Sequence, residues 1–124
     1  MRHSWQPPGA PVPPSISTAP LTLARMQTLC EEVVLGLSGG GSAATDRSVR
    51  QADELLRVLP DQMAHAGPCA RSLGRASLAG MADRLTRAAL EEGWRRFPGP
   101  HRTASEGLLG ALIARMRLVA RNVV

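Results

Sequence analysis

Cys30, His65, Cys69 and His101 supply between them the ligand types of a Cys2His2 zinc site. A structural zinc site draws at least two of its ligands from one tight knuckle. Here Cys30 and His101 stand alone in the chain, and His65 and Cys69 straddle the Gly67-Pro68 step. That spacing favours solvent-exposed histidines and buried, unpaired cysteines over a metal centre. Acid-base chemistry would draw on the carboxylate pairs Glu31-Glu32, Asp53-Glu54 and Glu91-Glu92. Neighbours on a helix point about 100° apart, so such pairs diverge rather than converge on a substrate, and solvated faces explain them. Serine, histidine and aspartate are all present, but none sits in a nucleophile elbow. The chain has no lysine, so it lacks the usual Schiff-base residue, and Gly39-Gly40-Gly41-Ser42 cannot be the heart of a phosphate-binding loop. The expectation is a non-enzymatic protein without metal or cofactor.

Every one of the 15 basic side chains is arginine, against 10 acids, for a net charge of +5. The charge is uneven. Residues 21 to 66 carry four arginines and six acids, and residues 67 to 124 carry ten arginines and four acids. A basic half of this kind can meet a polyanion or face the acidic half within the fold. Arg71 and Arg75 are four apart, as are Arg117 and Arg121, so each pair shares a helix face and the four are the candidate polyanion contacts. Nucleic-acid binding is therefore the alternative function. Against it stand only three aromatic residues for base stacking and no helix-turn-helix interruption in Ser72 to Arg87.

Protein recognition has a different candidate. Leu90, Trp94 and Phe97, flanked by Arg95 and Arg96, combine the residue types enriched where interfaces concentrate their binding energy. They fall opposite the Leu78 and Leu85 stripe at 100° per residue. This patch is expected to reach the core through a bend near Gly93, to bind the proline-rich tail, or to meet a partner protein.

The elements that would position these residues are all helical. Apolar residues step by three and four through Leu23, Met26, Cys30, Val33 and Leu37, then through Val49, Ala52, Leu56, Leu59 and Met63. The same steps return in Leu78, Met81, Ala82, Leu85, Ala88 and Ala89, and in Leu109, Leu112, Met116, Val119 and Val123. Alternation of period two is absent. These stripes predict an all-α, up-and-down four-helix bundle with helices over about 20–37, 44–66, 69–97 and 104–123. Gly36 and the Gly39 to Gly41 run should stop the first helix. Ser42 or Thr45 should cap the second, and Pro60 should kink or break it. Thr103 and Glu106 fit a capping box at the start of the fourth. Residues 1 to 19 hold five prolines and few apolar side chains, which predicts a disordered tail ahead of a single helical domain at 20–124. No run is long enough to span a membrane and the N-terminus lacks a signal-peptide layout, so a cytoplasmic protein is expected. Narrow stripes are compatible with a closed monomer or a homodimer.

The strings Met26 to Gly36, Leu55 to Asp61 with its Leu59-Pro60-Asp61 step, Ala79 to Leu85, and Ala114 to Arg121 resemble a family of small helical proteins. That family occurs in Streptomyces and related actinobacteria and is associated with natural-product biosynthesis. The resemblance covers about residues 21 to 124. It implies a helical fold and an actinobacterial source, and no activity carries over to particular residues; the four stripes and the missing catalytic sets, taken with it, lead to the expectation of a helical interaction or accessory protein linked to specialised metabolism.

Overall fold

The computed structural model describes residues 18–39, 42–93 and 104–122, and within them every regular element is a helix. Four are present: α1 (Ala19–Ser38), α2 (Ala43–Ala64), α3 (Pro68–Glu91) and α4 (Ala104–Asn122). The proline-rich segment 1–17, where the disordered tail is expected, lies outside the described residues.

Local chemistry accounts for most of the boundaries. Pro20 sits in the first turn of α1, where a missing N–H costs nothing. Gly36 does not stop α1, which continues to Ser38, because the Gly36 backbone packs closely against the Thr45 side chain and stays helical. Ser42 caps α2, its hydroxyl accepting the Thr45 N–H at 3.2 Å. Gly67 is extended, and Pro68 opens α3 with a φ already suited to a helix. α3 ends at Glu91 instead of running on to 97, since Gly93 takes a φ of 85° that closes the turn back onto the Leu90 carbonyl. α2 runs unbroken through Pro60, correcting the expectation of a break. Pro60 is exposed, and the last turn closes through His65 and Ala66 N–H groups donating to Gln62 and Met63 carbonyls.

The expected stripes of α2 and α3 are buried throughout. In α1 the stripe turns slightly: Thr22 and Leu29 are buried and Leu23 only partly. In α4, Ile113 and Ala120 join Leu109, Leu112 and Met116, while Val119 is half-buried and Val123 lies outside the described residues. All four helices feed one continuous core, centred on Met26, Leu29, Leu56, Leu59, Leu85 and Ile113, each fully buried.

Helix direction alternates along the chain, so the molecule is an up-and-down four-helix bundle. Its lateral order is less simple. α1 packs on α2 and α3, and α4 packs on α3 and α2, whereas α2 and α3 barely touch and α1 and α4 do not adjoin among the described residues. Going round the bundle the order is thus α1, α2, α4, α3, and the short link His65 to Gly67 crosses a diagonal. Two antiparallel hairpins, α1–α2 and α3–α4, lie against each other so that α1 runs parallel to α3 and α2 parallel to α4. The polar contacts show the register: Glu31 meets Arg84 in the α1–α3 pair, and Asp46 meets Ser105 and Asp53 meets Arg115 in the α2–α4 pair.

Candidate partner-binding groove

Five of the ten acids, Glu31, Glu32, Asp46, Asp53 and Asp83, join one helix to another. Glu31 on α1 accepts two hydrogen bonds from Arg84 on α3, at 3.0 and 3.1 Å. The Arg84 hydrogen bond holds the Glu31 carboxyl below its ordinary 4.5. Glu32 turns the other way and accepts from Ser48 on α2 at 3.1 Å. Asp46 accepts from Ser105 on α4 at 2.9 Å. Asp53 accepts from Arg115 on α4 at 2.8 and 3.0 Å and from Arg57, one turn on in its own helix, at 3.2 and 3.3 Å. Asp83 on α3 accepts from Arg117 on α4 at 3.2 Å, and the same Arg117 nitrogen lies 3.2 Å from Thr86 Oγ1. Each adjoining pair of helices therefore carries a polar clasp. Glu31 and Glu32 diverge to two different neighbours, as residues about 100° apart on a helix must.

The clasps decide which arginines remain available. In the second half, Arg84, Arg115 and Arg117 are engaged by carboxylates, and Arg71 donates through Nη1 to the Ala66 carbonyl at 2.8 Å. Arg75, Arg87 and Arg121 have no acid partner among the described residues. Two of these three, Arg75 and Arg121, face each other across an open groove of about 750 Å³ between α3 and α4. Arg117 and its partner Asp83 line the same groove, and Ala79, Ala114 and Ala120 form its floor. The pairing follows from the antiparallel packing of α3 on α4, which sets the first half of one helix beside the last turns of the other.

Three of the four arginines expected to contact a polyanion are thus gathered into one groove. The fourth is not. Arg71 lies one turn before Arg75 but points toward the ends of α2 and α4, where it holds the α2–α3 link. Of the expected aromatic patch, only Leu90 is described, at the end of α3 and half-exposed; Trp94, Arg95, Arg96 and Phe97 lie outside the described residues, as do His101 and Thr103.

The sulfur chemistry divides sharply. Both cysteines are free thiols. Cys30 is fully buried, and desolvation, reinforced by the nearby Glu31 charge, pushes its thiol up to about 12. Cys69 is exposed, which corrects the expectation that both cysteines are buried: it sits in the first turn of α3 on the side away from Gly74 and Leu78, which face the core. No three His, Cys, Asp or Glu side chains among the described residues gather as metal ligands. No described helix is long and apolar enough to cross a membrane.

What this groove can do is bind. Guanidinium groups on two opposed helices offer forked N–H donors to carboxylates or phosphates, and the alanine methyls between them offer a shallow apolar seat. Sequence spacing pointed to Arg75, Arg117 and Arg121, but the part played by Asp83 was invisible there, since its partner is 34 residues away. Comparison of the chain with protein-family models, with curated proteins and with solved structures gives no significant match.

Proposed function

We propose that this chain is a non-enzymatic helical interaction protein that holds an acidic segment of a partner protein in the groove between α3 and α4. The observation that carries the reading is the pair Arg75 and Arg121, two guanidiniums without acid partners opposed across an alanine floor. A helix or extended segment presenting carboxylates toward these arginines and small apolar side chains toward Ala79 and Ala114 matches both features. Asp83, placed within the groove beside Arg117, favours such a segment over a phosphate backbone, because a fixed carboxylate repels evenly spaced phosphates and is tolerated by a partner whose charges can be placed around it. The resemblance to actinobacterial proteins supplies the setting, an accessory role in specialised metabolism.

The experiment is a fluorescence-anisotropy titration of the full chain with two probes, a labelled alanine-glutamate peptide and a labelled DNA duplex. The peptide should bind, and Arg75→Glu with Arg121→Glu should weaken it by about tenfold or more, equivalent to about 1.4 kcal/mol. Arg25→Glu, on α1, should leave it unchanged. Tight duplex binding that falls steeply with salt, with no peptide binding, would replace this reading with the nucleic-acid one.

A further inference from the structure

A second groove, of about 500 Å³, opens where α2 and α4 end and α3 begins. That volume falls within the range of sites for small organic ligands. Its walls are Pro60 and Met63 of α2 and Leu118 and Val119 of α4, with the Asn122 amide also lining it. Among the described residues Arg71 is its one charged lining residue, and no acid among them lines it.

Arg71 is held in a particular way. Its Nη1 donates to the Ala66 carbonyl at 2.8 Å, which fixes the guanidinium plane. Its Nε is shut off from solvent and has no hydrogen-bond acceptor among the described residues, while Nη2 makes no hydrogen bond there and stays open to solvent. With Nη1 committed and Nε closed to an atom the size of a water oxygen, the donors left for a ligand are the N–H groups of Nη2, which carry the guanidinium charge to the groove.

We infer that this groove is a binding site for a small amphipathic carboxylate, the acid on Nη2 of Arg71 and the hydrocarbon chain or ring against Met63, Leu118 and Val119. A neutral apolar molecule leaves the Arg71 charge without a counter-ion. A doubly charged phosphate brings more charge than one guanidinium offsets and meets apolar walls where its hydration is lost. The site shares no lining residue with the α3–α4 groove, so it stands or falls independently of that reading.

The test is a methionine-methyl NMR titration of the full chain with octanoate, with octanol as the neutral probe of like length, and with acetate. Octanoate should shift the Met63 methyl saturably and bind about tenfold or more tightly than octanol, acetate should bind weakly, Arg71→Gln should remove the preference for the acid, and Arg87→Gln should keep it. Should Arg71→Gln fail to fold, the octanoate-to-octanol ratio on the unaltered protein decides. Equal affinity for the two, or no saturable shift with either, would overturn the inference. Cross-peaks between the Met63 methyl and the Trp5 indole in the free protein would overturn it in favour of the chain's own N-terminal segment as occupant.

Discussion

At the scale of single residues, the absence of one methyl group at Gly36 sets how closely α1 and α2 approach. A β-carbon there would run into the Thr45 side chain, whose hydroxyl, Cβ and methyl all lie against it. Gly36→Ala should therefore destabilise the bundle by about 1–3 kcal/mol in a denaturant titration despite its better helix propensity, and adding Thr45→Ala should restore most of the loss. Gly80→Ala should do the reverse: nothing lies near its added methyl, so stability should rise by about 0.5–1 kcal/mol. The thiols give a chemical check. With Cys30 buried and pushed up to about 12, an aromatic disulfide reagent at neutral pH should label Cys69 alone in the folded protein and both on unfolding. Glu31 gives a pH check. Its carboxyl is lowered in the folded state, so its contribution is present above the unfolded value and disappears as pH falls through the folded one. As pH falls from the ordinary carboxyl value through the lowered one, the unaltered protein should lose more stability than Glu31→Gln, read as the slope of melting temperature against pH.

At the scale of elements, the helices are specified by their own composition and their pairing by a few polar groups. Asp53, mostly sheltered between α2 and α4, serves two arginines at once. A double-mutant cycle on Asp53 and Arg115 should give a coupling of about 1 kcal/mol or less, because the Arg115 side chain remains 39% exposed and water screens the pair. Added salt should shrink it. Pro60 tests a different balance. α2 runs through it without the N–H that would have reached the Leu56 carbonyl, so Pro60→Ala should raise stability by about 1–3 kcal/mol by equilibrium unfolding. The helix periods and a cap at Ser42 or Thr45 were legible from the sequence, being local chemistry, and Ser42 proves to be the one that accepts the backbone N–H. The uninterrupted passage through Pro60 and the end of α3 at Glu91 were not legible. The second depends on the backbone conformation that Gly93 adopts, which closes the turn at Leu90.

At the scale of the molecule, the lateral order of the helices decides which charged side chains pair. If α2 and α3 adjoined in simple sequence order, α1 would adjoin α4 and the Glu31–Arg84 contact could not form. The two-hairpin arrangement instead consumes Arg84, Arg115 and Arg117 in clasps and leaves Arg75 and Arg121 without an acid partner among the described residues, across the α3–α4 groove. Binding of the alanine-glutamate peptide should weaken with salt far less steeply than duplex binding by a protein that neutralises many phosphates, since only a few guanidiniums take part. Of the exposed leucines, Leu21 and Leu35 stand on α1 and Leu73 and Leu90 on α3, while Leu118 of α4 lines the second groove.

Composition and periodicity were enough to determine an all-helical chain of four amphipathic segments with the buried face of each nearly complete, because helix formation and burial depend on neighbours three and four residues away. They also singled out Arg75, Arg117 and Arg121, which share one groove. Which arginines are spent on holding the bundle, and which have no acid partner among the described residues, was decided only when α1 was laid parallel to α3 and α2 parallel to α4. Arg71 and Arg75 are one turn apart in sequence and end in different grooves, since a small difference in angle about α3 separates the side facing the α2–α3 link from the side facing α4. Ion pairs such as Glu31–Arg84 join residues 53 positions apart, a separation at which sequence spacing carries no geometric information.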